Sequence, residues 1–312
     1  MKISFVIPCY RSEKTLPDVI DEIKTTMAGI GHEFEIILVN DSSPDNTFEV
    51  IKKIVAENNN ILGIDLAKNF GQHCALMAGM RHSSGDVVVC LDDDGQTPAN
   101  EVGKLLGKLE EGYDVCYASY GKKQHSGFRN FGSKVNELMT RIMLGKPKEL
   151  KVSSYFAAKR FIVDDMLKYE QSYAYVIGLV LRATKNVANV EVNHRARSVG
   201  ESGYTLTKLF SLWFNGFTAF SIKPLRIATG IGCFCAGTGF LYGIYTIIKK
   251  IILMDAVEAG FSALMSVLVF IGGMIMIMLG LIGEYIGRIY ICMNNSPQYV
   301  IRQKIGMDSE KE

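Results

Sequence analysis

Two long apolar stretches in the last third of the chain constrain its fold most. Residues 227–248 and 261–283 contain no formally charged side chain. At about 1.5 Å per residue, a helix of either length is about 33 Å long, enough to cross the hydrocarbon core of a bilayer. Glycines within the stretches and flanking charges such as Arg226 and Glu284 favour two membrane helices over two buried helices of a soluble domain.

Two adjacent membrane helices would form a hairpin, with both ends of the chain on the same side of the membrane. In the connecting segment "KKIILMDAVEAG", Lys249 and Lys250 are balanced by Asp255 and Glu258, which leaves only a weak orientation signal. The chain begins "MKISFVIPCY", and this apolar run is too short for a signal peptide and instead predicts a first strand. We therefore expect the large hydrophilic N-terminal part to lie in the cytoplasm.

Charge and cysteine content argue against several classes of protein. The formal net charge of the 312 residues is only +2 and no long basic run occurs, so we expect no nucleic-acid partner. The seven cysteines include no CxxC pair and are odd in number. This pattern favours buried thiols in a reducing compartment over disulfides or a zinc site. The five histidines show no metal-ligand spacing.

The first 120 residues alternate between short β-rich runs and helical patterns. The runs are "ISFVI", "FEIILVN", "ILGIDL", "DVVVCL" and "DVCYA". Such alternation predicts a parallel sheet covered by helices, an α/β fold in which ligands bind at the carboxyl ends of the strands. The first run is followed by "PCYRSE" and not by the GxGxxG fingerprint, which argues against a dinucleotide-binding dehydrogenase.

Acidic residues follow two of these runs. Asp41 follows "FEIILVN", and Asp92, Asp93 and Asp94 follow "DVVVC" within "LDDDGQTP". Each segment has a simple interpretation as a turn, whose polar side chains cap the next helix or meet solvent. Two carboxylates at positions i and i+2 can also hold one hard cation, whose remaining ligands are water and phosphate oxygens. After a buried strand of an α/β domain, we favour the second interpretation for Asp92 and Asp94.

Two amphipathic segments follow the α/β region. Within residues 121–150, apolar residues from Phe128 to Ile142 recur at helical spacing, which fits a core-facing helix and a membrane-surface helix equally well. Just before the first apolar stretch, leucines and aromatic residues form one stripe that includes the only tryptophan, Trp213. This second pattern predicts an interfacial helix that lies against a bilayer.

Seven motifs follow one another along the chain: "VIPCYRSEKTL", "VNDSSPDNT", "KNFGQHCALMAG", "LDDDGQTP", "RSVGESGYTLTKL", "FSIKPLRIAT" and "LIGEYIGRIY". They resemble, in the same order, the motifs of glycosyltransferase family 2. The chain resembles in particular the polyprenyl-phosphate members: bactoprenol glucosyltransferases, undecaprenyl-phosphate aminoarabinose transferases and dolichol-phosphate mannose synthases. The resemblance spans almost the whole chain. It implies a GT-A (Rossmann-like) α/β domain followed by an interfacial helix and two transmembrane helices.

The resemblance implies a donor site at the strand ends. Asp92 and Asp94, with Gln96 as a polar partner, match the family's DxD site for Mg²⁺ or Mn²⁺. Asp93 stands where relatives have a small residue, so we expect it to point away from the metal. Asp41 would bind the base. The residues that match nucleotide-binding positions are Pro8, Tyr10, Glu13, Asp41, Lys68, Asn69 and Asp92.

The resemblance also implies an acceptor site of basic and hydroxyl residues. Arg129 and Ser133 in "FRNFGSK", and Arg197 and Ser202 in "RSVGES", match positions near the acceptor phosphate. A lipid phosphate is largely dianionic at neutral pH because its second pKa is about 6, so it needs no general base. We therefore assign catalysis to Asp94, Arg129 and Arg197, which would align two anions for reaction at the sugar.

Some positions depart from the family's pattern around the expected sugar and acceptor pocket. Tyr120 stands where relatives often have an arginine, and Lys151 where they usually have an aspartate. Phe156 falls where an arginine is common, and Gly203 replaces the commoner lysine. These departures bear on which sugar is transferred more than on the reaction.

The resulting expectation is transfer of a sugar, with inversion, from a nucleotide-diphosphate sugar such as a UDP-sugar to undecaprenyl phosphate, in the bacterial cytoplasmic membrane. Two other interpretations are a processive polysaccharide synthase, whose Q-x-x-R-W segment is missing here, and a non-catalytic nucleotide-sugar-binding module. A homo-oligomer such as a tetramer would fit two thin spans per chain. The expected segments are a donor-binding core (1–120), an acceptor-side part (121–204), an interfacial helix (205–224), a transmembrane hairpin (225–290) and a cytoplasmic tail (291–312).

Overall fold

The computed structural model describes residues 1–120, 147, 149–172, 174–193, 261–293 and 297–307, with scattered residues between 228 and 252. It divides into two compact units, Met1–Trp213 with Asn295–Glu312, and Phe214–Asn294. The predicted amphipathic helix from Phe128 to Ile142 and the predicted interfacial helix at 205–224 lie outside the described residues.

The first unit contains an eight-stranded sheet with the strand order β7-β5-β6-β4-β1-β2-β3-β8. Neighbours β4, β1, β2 and β3 are parallel, whereas β6 runs antiparallel between β4 and β5, and β8 runs antiparallel to β3. The sheet is therefore mixed and not purely parallel as the sequence predicted. The strands are β1 (Lys2–Cys9), β2 (Glu33–Asn40), β3 (Ile61–Leu66), β4 (Val87–Cys90), β5 (Val115–Tyr120), β6 (Phe156–Lys159), β7 (Val187–Val192) and β8 (Ile301–Ile305).

Helices connect the strands as the alternating sequence pattern predicts. The α/β part of the fold prediction is confirmed, because β1 to β5 overlap the five predicted runs in the same order. The described helices of this unit are α1 (Leu16–Ile30), α2 (Thr47–Ala56), α3 (Gln72–Arg81), α4 (Val102–Glu110), α5 (Arg160–Leu167) and α6 (Val176–Ala183), with a 3₁₀ turn at Ala99–Glu101.

Packing against the sheet explains where the helices lie. Helix α1 buries Val19, Ile20, Ile23 and Met27, whose spacing puts them on one helix face. Helix α3 is buried along nearly its whole length, and a Cβ atom at Gly79 would collide with Val6 of β1. The glycine therefore allows this helix to approach the sheet more closely than another residue would.

The described part of the second unit is dominated by helix α7 (Phe261–Met293), which is 33 residues long. Its segment Phe270–Gly287 has a mean hydropathy of 1.8, and none of it is buried. Among the described residues, it is the one helix with the length and composition to cross a membrane. Of the first apolar stretch, 227–248, only scattered residues are described, and they are helical.

The chain after α7 returns to the sheet of the first unit. The sequence predicts a cytoplasmic tail over 291–312, and within it residues 301–305 form the edge strand β8. The register pairs Gly63 with Ile305 and Ile64 with Lys304. Part of the predicted tail therefore belongs to the sheet that carries the acidic loops.

Candidate active site

The loops after β1, β2, β3 and β4 meet at one edge of the sheet, which we call the carboxyl edge. They meet because these strands are parallel and end at the same side. The loop after β1 contacts the loop after β2, since the Arg11 N–H donates to Ser43 Oγ (2.8 Å) and the Ser12 N–H to Thr47 Oγ1 (2.9 Å). Arg11 has a φ of 60°, the left-handed conformation that makes this loop turn sharply.

Asp41 holds the loop after β3 in place. Its Oδ1 accepts a hydrogen bond from the Phe70 N–H (2.7 Å) and its Oδ2 one from the Gly71 N–H (2.8 Å). The Asn69 amide donates to the Asp41 carbonyl oxygen (3.2 Å). Burial raises the pKa of Asp41, and the two N–H groups offset this only in part. Asp41 is therefore a buried carboxylate that links two loops, and it is not a cap of α2.

The other nucleotide-binding candidates lie at the carboxyl ends of β1 and β3 or in the loops that follow them. Lys68 Nζ is 5.0 Å from the ring centroid of Phe70. Glu13 accepts a hydrogen bond from the Asn46 N–H (3.2 Å) just before α2. Pro8 is buried in β1 beside Val39, and Tyr10 is 46% exposed at the end of that strand. The predicted nucleotide-binding residues thus come together at the carboxyl edge.

Asp92 is held by side chains from two other segments. Its Oδ1 accepts a hydrogen bond from the Gln72 amide (2.8 Å), and its Oδ2 accepts one from the Ser154 hydroxyl. Gln72 begins α3, and Ser154 lies two residues before β6. This pair of donors orients the carboxylate at the end of β4.

Asp94 follows Asp92 by two residues, and Tyr120 at the end of β5 lies near both carboxylates. Asp94 Oδ1 accepts a hydrogen bond from the Gln96 N–H (3.0 Å) across a turn in which Gly95 has a φ of 70°. Burial raises the pKa of the Tyr120 phenol well above its usual value, and the nearby Asp92 and Asp94 carboxylates raise it further. The Tyr120 phenol is therefore close enough to this acidic pair to be influenced by its charge.

Asp93 contacts the loop after β1. Its Oδ2 accepts hydrogen bonds from the Tyr10 N–H (3.0 Å) and from the Ser12 hydroxyl. Burial raises the pKa of Asp93 to about 6, although both hydrogen bonds act in the opposite direction. Asp93 thus fixes one loop to another.

The acidic loop fits a divalent cation whose coordination shell is completed by phosphate oxygens of the bound substrate and by water. Within the described part of the chain, no three His, Cys, Asp or Glu side chains come together as a metal site. Two carboxylates two residues apart suffice for Mg²⁺ or Mn²⁺ when phosphate oxygens and water supply the remaining positions. Asp92 and Asp94 with Gln96 are the residues that could hold such an ion.

The four acceptor-phosphate candidates, Arg129, Ser133, Arg197 and Ser202, lie outside the described residues. Besides Tyr120, two of the departures from the family's pattern lie within the described residues. Phe156 is 2% exposed and packs against Tyr117 with ring centroids 5.3 Å apart, so it belongs to the core and not to an open pocket. Lys151 is exposed, and its backbone N–H donates to Asn189 Oδ1 (2.8 Å).

Sequence reasoning missed three residues that orient the acidic loop: Ser12, Gln72 and Ser154. Ser12 lies in "PCYRSE" and Gln72 in "KNFGQHCALMAG", two motifs that were singled out for other residues. Ser154 follows Lys151 in a segment considered only for its departures. The one feature of the sequence that could have indicated them is that they are polar residues close to motif residues.

Comparison with known proteins decides the family. The family model described as Glycosyl transferase family 2 matches residues 4–167, and the model described as GtrB C-terminal hairpin matches residues 223–289. The chain belongs to glycosyltransferase family 2. It is 33% identical over 309 residues to the undecaprenyl-phosphate 4-deoxy-4-formamido-L-arabinose transferase of Proteus mirabilis (strain HI4320), covering 98% of this chain and 94% of that protein.

Solved structures agree with the GT-A type of fold. The chain is similar to glucosyl-3-phosphoglycerate synthase from Mycobacterium tuberculosis in complex with Mn²⁺ and uridine-diphosphate-glucose, with a TM-score of 0.53, 19% identity and coverage of 70% of this chain and 77% of that one. A further complex of the same enzyme, with phosphoglyceric acid as well, gives a TM-score of 0.52 at 20% identity over 68% of this chain and 76% of that one. At these identities the likeness is one of fold.

Proposed function

We propose that this protein transfers a sugar, with inversion, from a UDP-sugar to undecaprenyl phosphate at the cytoplasmic face of the bacterial inner membrane. The observation that carries the proposal is the acidic loop at the carboxyl edge, in a chain that is similar over 98% of its length to a transferase named for that acceptor. Family membership supports glycosyl transfer, whereas the donor nucleotide and the acceptor belong to the proposal.

The donor would bind across the loops that end β1 to β4. Asp41, Lys68 and Asn69 would meet the base and ribose side of the nucleotide. Asp92 and Asp94 would hold Mg²⁺ or Mn²⁺, which neutralises the charge that develops on the leaving diphosphate. The Mn²⁺ and UDP-glucose complexes of the mycobacterial enzyme support a divalent ion in a fold of this kind.

The acceptor would need positive charge and not a base. A phosphate monoester with a second pKa of about 6 is already a nucleophile at neutral pH. Arg129 and Arg197, helped by Ser133 and Ser202, would bring it in line with the sugar's anomeric carbon. Activity should accordingly fall as the pH drops through about 6, because the acceptor becomes protonated.

The membrane part would deliver the lipid. We propose that residues 225–290 form a transmembrane hairpin, preceded by an interfacial helix at 205–224, with the catalytic unit in the cytoplasm. The long apolar helix α7 and the match of residues 223–289 to a C-terminal hairpin support this arrangement. Assembly into a homo-oligomer such as a tetramer belongs to the same proposal.

The direct test offers the purified full-length protein a panel of UDP-sugars with undecaprenyl phosphate and detects the lipid product by mass spectrometry. One UDP-sugar should give a glycosylated lipid phosphate with release of UDP. A polyprenol that lacks the phosphate should not react. Binding of nucleotide-sugar without product for any donor would instead support a non-catalytic binding module.

A second test concerns the acceptor site. Arg129→Ala should raise the KM for undecaprenyl phosphate about tenfold or more while the donor KM changes little, because a hydrogen-bonded charge contact to phosphate is lost. Arg182→Ala, a change of an arginine in α6, provides a control on the described part of the catalytic unit. Unchanged acceptor kinetics in Arg129→Ala would remove this residue from the mechanism.

A third test concerns topology. In a background without native cysteines, a cysteine at position 255 should react with an impermeant thiol reagent in intact cells, and one at position 45 should not. The opposite pattern would exclude the proposed hairpin with a cytoplasmic catalytic unit.

A further inference from the structure

The segment that follows α7 contacts the rest of the first unit at two separate places. Strand β8 pairs with β3, and the Ala67 N–H beyond that strand donates to the Val300 carbonyl oxygen (2.8 Å). A Cβ atom at Gly63 would lie 2.7 Å from Ile305 Cγ1, so the two strands are in tight contact. Gln298, which is 6% exposed, donates to the carbonyl oxygens of Tyr169 (3.1 Å) and Gln171 (3.0 Å).

Arg302 of β8 makes side-chain contacts in addition to the strand pairing and to the hydrogen bonds of Gln298. Its Nη1 lies 3.0 Å from Asp65 Oδ2, and its Nη2 donates to the Ala67 carbonyl oxygen (2.7 Å). The Asp65 side chain is only 4% exposed, whereas that of Arg302 is 57% exposed. A buried carboxylate requires such a partner, because an unpaired charge is costly to bury.

Asp65 continues this network to the loop that bears Asp41. Its Oδ1 accepts a hydrogen bond from the Asn40 amide (2.7 Å), and Asn40 Oδ1 accepts one from the Ser43 N–H (3.3 Å). Asn40 is the residue immediately before Asp41. The guanidinium group of Arg302 is therefore linked to the start of the loop after β2 through one buried carboxylate, that of Asp65.

The second Arg302 contact leads to the loop after β3. Ala67 immediately precedes Lys68 and Asn69, and the Asn69 amide donates to the Asp41 carbonyl oxygen. The two contacts of Arg302 thus hold the stems of the two loops that carry the predicted nucleotide-binding residues. Both stems lie at the ends of strands, where a small displacement of the backbone moves the whole loop.

We propose that Arg302 is a positioning residue for the donor nucleotide. It lies in β8, the strand that follows the long apolar helix in the sequence. It sets the spacing of the loops after β2 and β3 through Asp65 and the Ala67 carbonyl group, and it does not touch the substrate. This inference rests on the proposed function for the identity of the donor. It adds a role for the segment after α7 in donor binding.

The experiment compares Arg302→Ala, Arg302→Lys and Asp65→Asn in the full-length protein. Arg302→Ala should raise the donor KM and the Kd for UDP about tenfold, with the acceptor KM unchanged. Arg302→Lys should recover part of the affinity, because an ammonium group can still pair with Asp65. Combined with Asp65→Asn, Arg302→Ala should add little, because both changes break the same network.

Gln303→Ala is the matched control, since Gln303 is an exposed neighbour on the same strand. It should leave the donor KM, the Kd for UDP and the Tm unchanged. Equal increases in donor KM for Gln303→Ala and Arg302→Ala, or an unchanged donor KM in Arg302→Ala, would overturn the proposal. A Tm loss in Arg302→Ala without any change in the Kd for UDP would also overturn it, because it would indicate a purely structural role.

Failure of the proposed function would look different. The Kd for UDP is measured by calorimetry without lipid or sugar, so it reports on Arg302 even if the acceptor is misassigned. Absence of product from the wild-type protein with every UDP-sugar would contradict the proposed function. Wild-type turnover with an unaffected Kd in the Arg302 variants would contradict only the positioning role.

Discussion

Acidic side chains at the two ends of the central strands have different kinds of partner. At the amino end, Glu35 of β2 forms an ion pair with Lys2 (2.6 Å) and accepts hydrogen bonds from the Ser4 hydroxyl (2.6 Å) and the Ser84 N–H (2.6 Å). At the carboxyl end, Asp41 and Asp93 are held by N–H and hydroxyl groups of neighbouring loops.

The pKa values follow this difference. Burial alone would raise the pKa of Glu35, but the Lys2 ammonium group and the hydrogen bonds from Ser4 and Ser84 lower it below its usual value. Burial raises the pKa of Asp41 and of Asp93, because their hydrogen bonds compensate only in part. The amino end thus carries a self-sufficient structural ion pair, whereas the carboxyl end concentrates negative charge where a cation and a diphosphate are proposed to bind.

The largest expected effect is on the carboxyl end. Asp94→Asn should lower turnover by about 10²–10³-fold with the Tm unchanged, because the metal would lose a charged ligand while the fold loses little. Turnover is measured across a Mg²⁺ and Mn²⁺ titration, with Asp93→Asn as the adjacent control. Equal losses of turnover in both variants would mean that the metal-binding pair is misassigned.

A smaller effect is expected from Asp41→Asn. The amide has a single oxygen acceptor, so either the Phe70 or the Gly71 N–H loses its partner and the loop after β3 shifts. The donor KM should rise about tenfold, with a smaller change in kcat. Glu49→Gln, which replaces an exposed carboxylate of α2, is the control. If Asp41→Asn leaves the donor KM at its wild-type value, the loop does not depend on this carboxylate.

At the amino end, the expected effect is on stability alone. Glu35→Gln should lower the free energy of unfolding by about 2 kcal/mol at pH 7, because the partly buried ion pair with Lys2 is lost. The folded-state pKa of Glu35 is depressed, so its charge stabilises the fold above its unfolded-state pKa, near 4.5, and this contribution disappears as the pH falls through the folded-state value.

Thermal unfolding from pH 7 down to pH 3 checks this prediction. The Tm difference between wild type and Glu35→Gln should shrink towards the acid end. The KM values should stay unchanged, and a large change in donor KM would contradict the separation of the two ends.

The smallest effect is expected at Asp93, with the opposite dependence on pH. Its folded-state pKa of about 6 lies above the usual value of 3.8, so its contribution to stability is fully present below about pH 3.8 and is lost as the pH rises through about 6. Asp93→Asn should therefore have a Tm equal to or slightly above that of the wild type at pH 8 and lose this advantage at pH 4. The scans use metal-free buffer, and a variant that loses stability more strongly at pH 8 than at pH 4 would contradict the assignment.

Local patterns in the sequence predicted the helices and strands around the site. Runs such as "FEIILVN" became β2 because β-branched and other large apolar residues suit a strand that is buried on both faces. Strands β6, β7 and β8 were not predicted. Strand β6 is only the four residues "FAAK", and β8 follows a long apolar helix, so their pairing depends on contacts distant in the chain.

The residues of the candidate site could be selected from the sequence, but their contacts could not be predicted from it. The turn interpretation of "NDSSPDNT" holds for Asp45, whose side chain accepts the Thr47 N–H (3.2 Å) at the start of α2. Asp41 in the same segment instead reaches Phe70 and Gly71, about thirty positions along the chain. No local pattern distinguishes these two aspartates.

By itself, the sequence determined the family, the order of β1 to β5 and the place of Asp92, Asp93 and Asp94 after a buried strand. These features depend on motif order and local hydrophobic pattern, which are carried by neighbouring residues. Only the tertiary structure decided that Gln72 and Ser154 hold Asp92 and that Asp93 contacts the loop after β1. It also decided that the chain beyond α7 completes the sheet, because pairing of distant segments depends on the whole core and not on any short stretch.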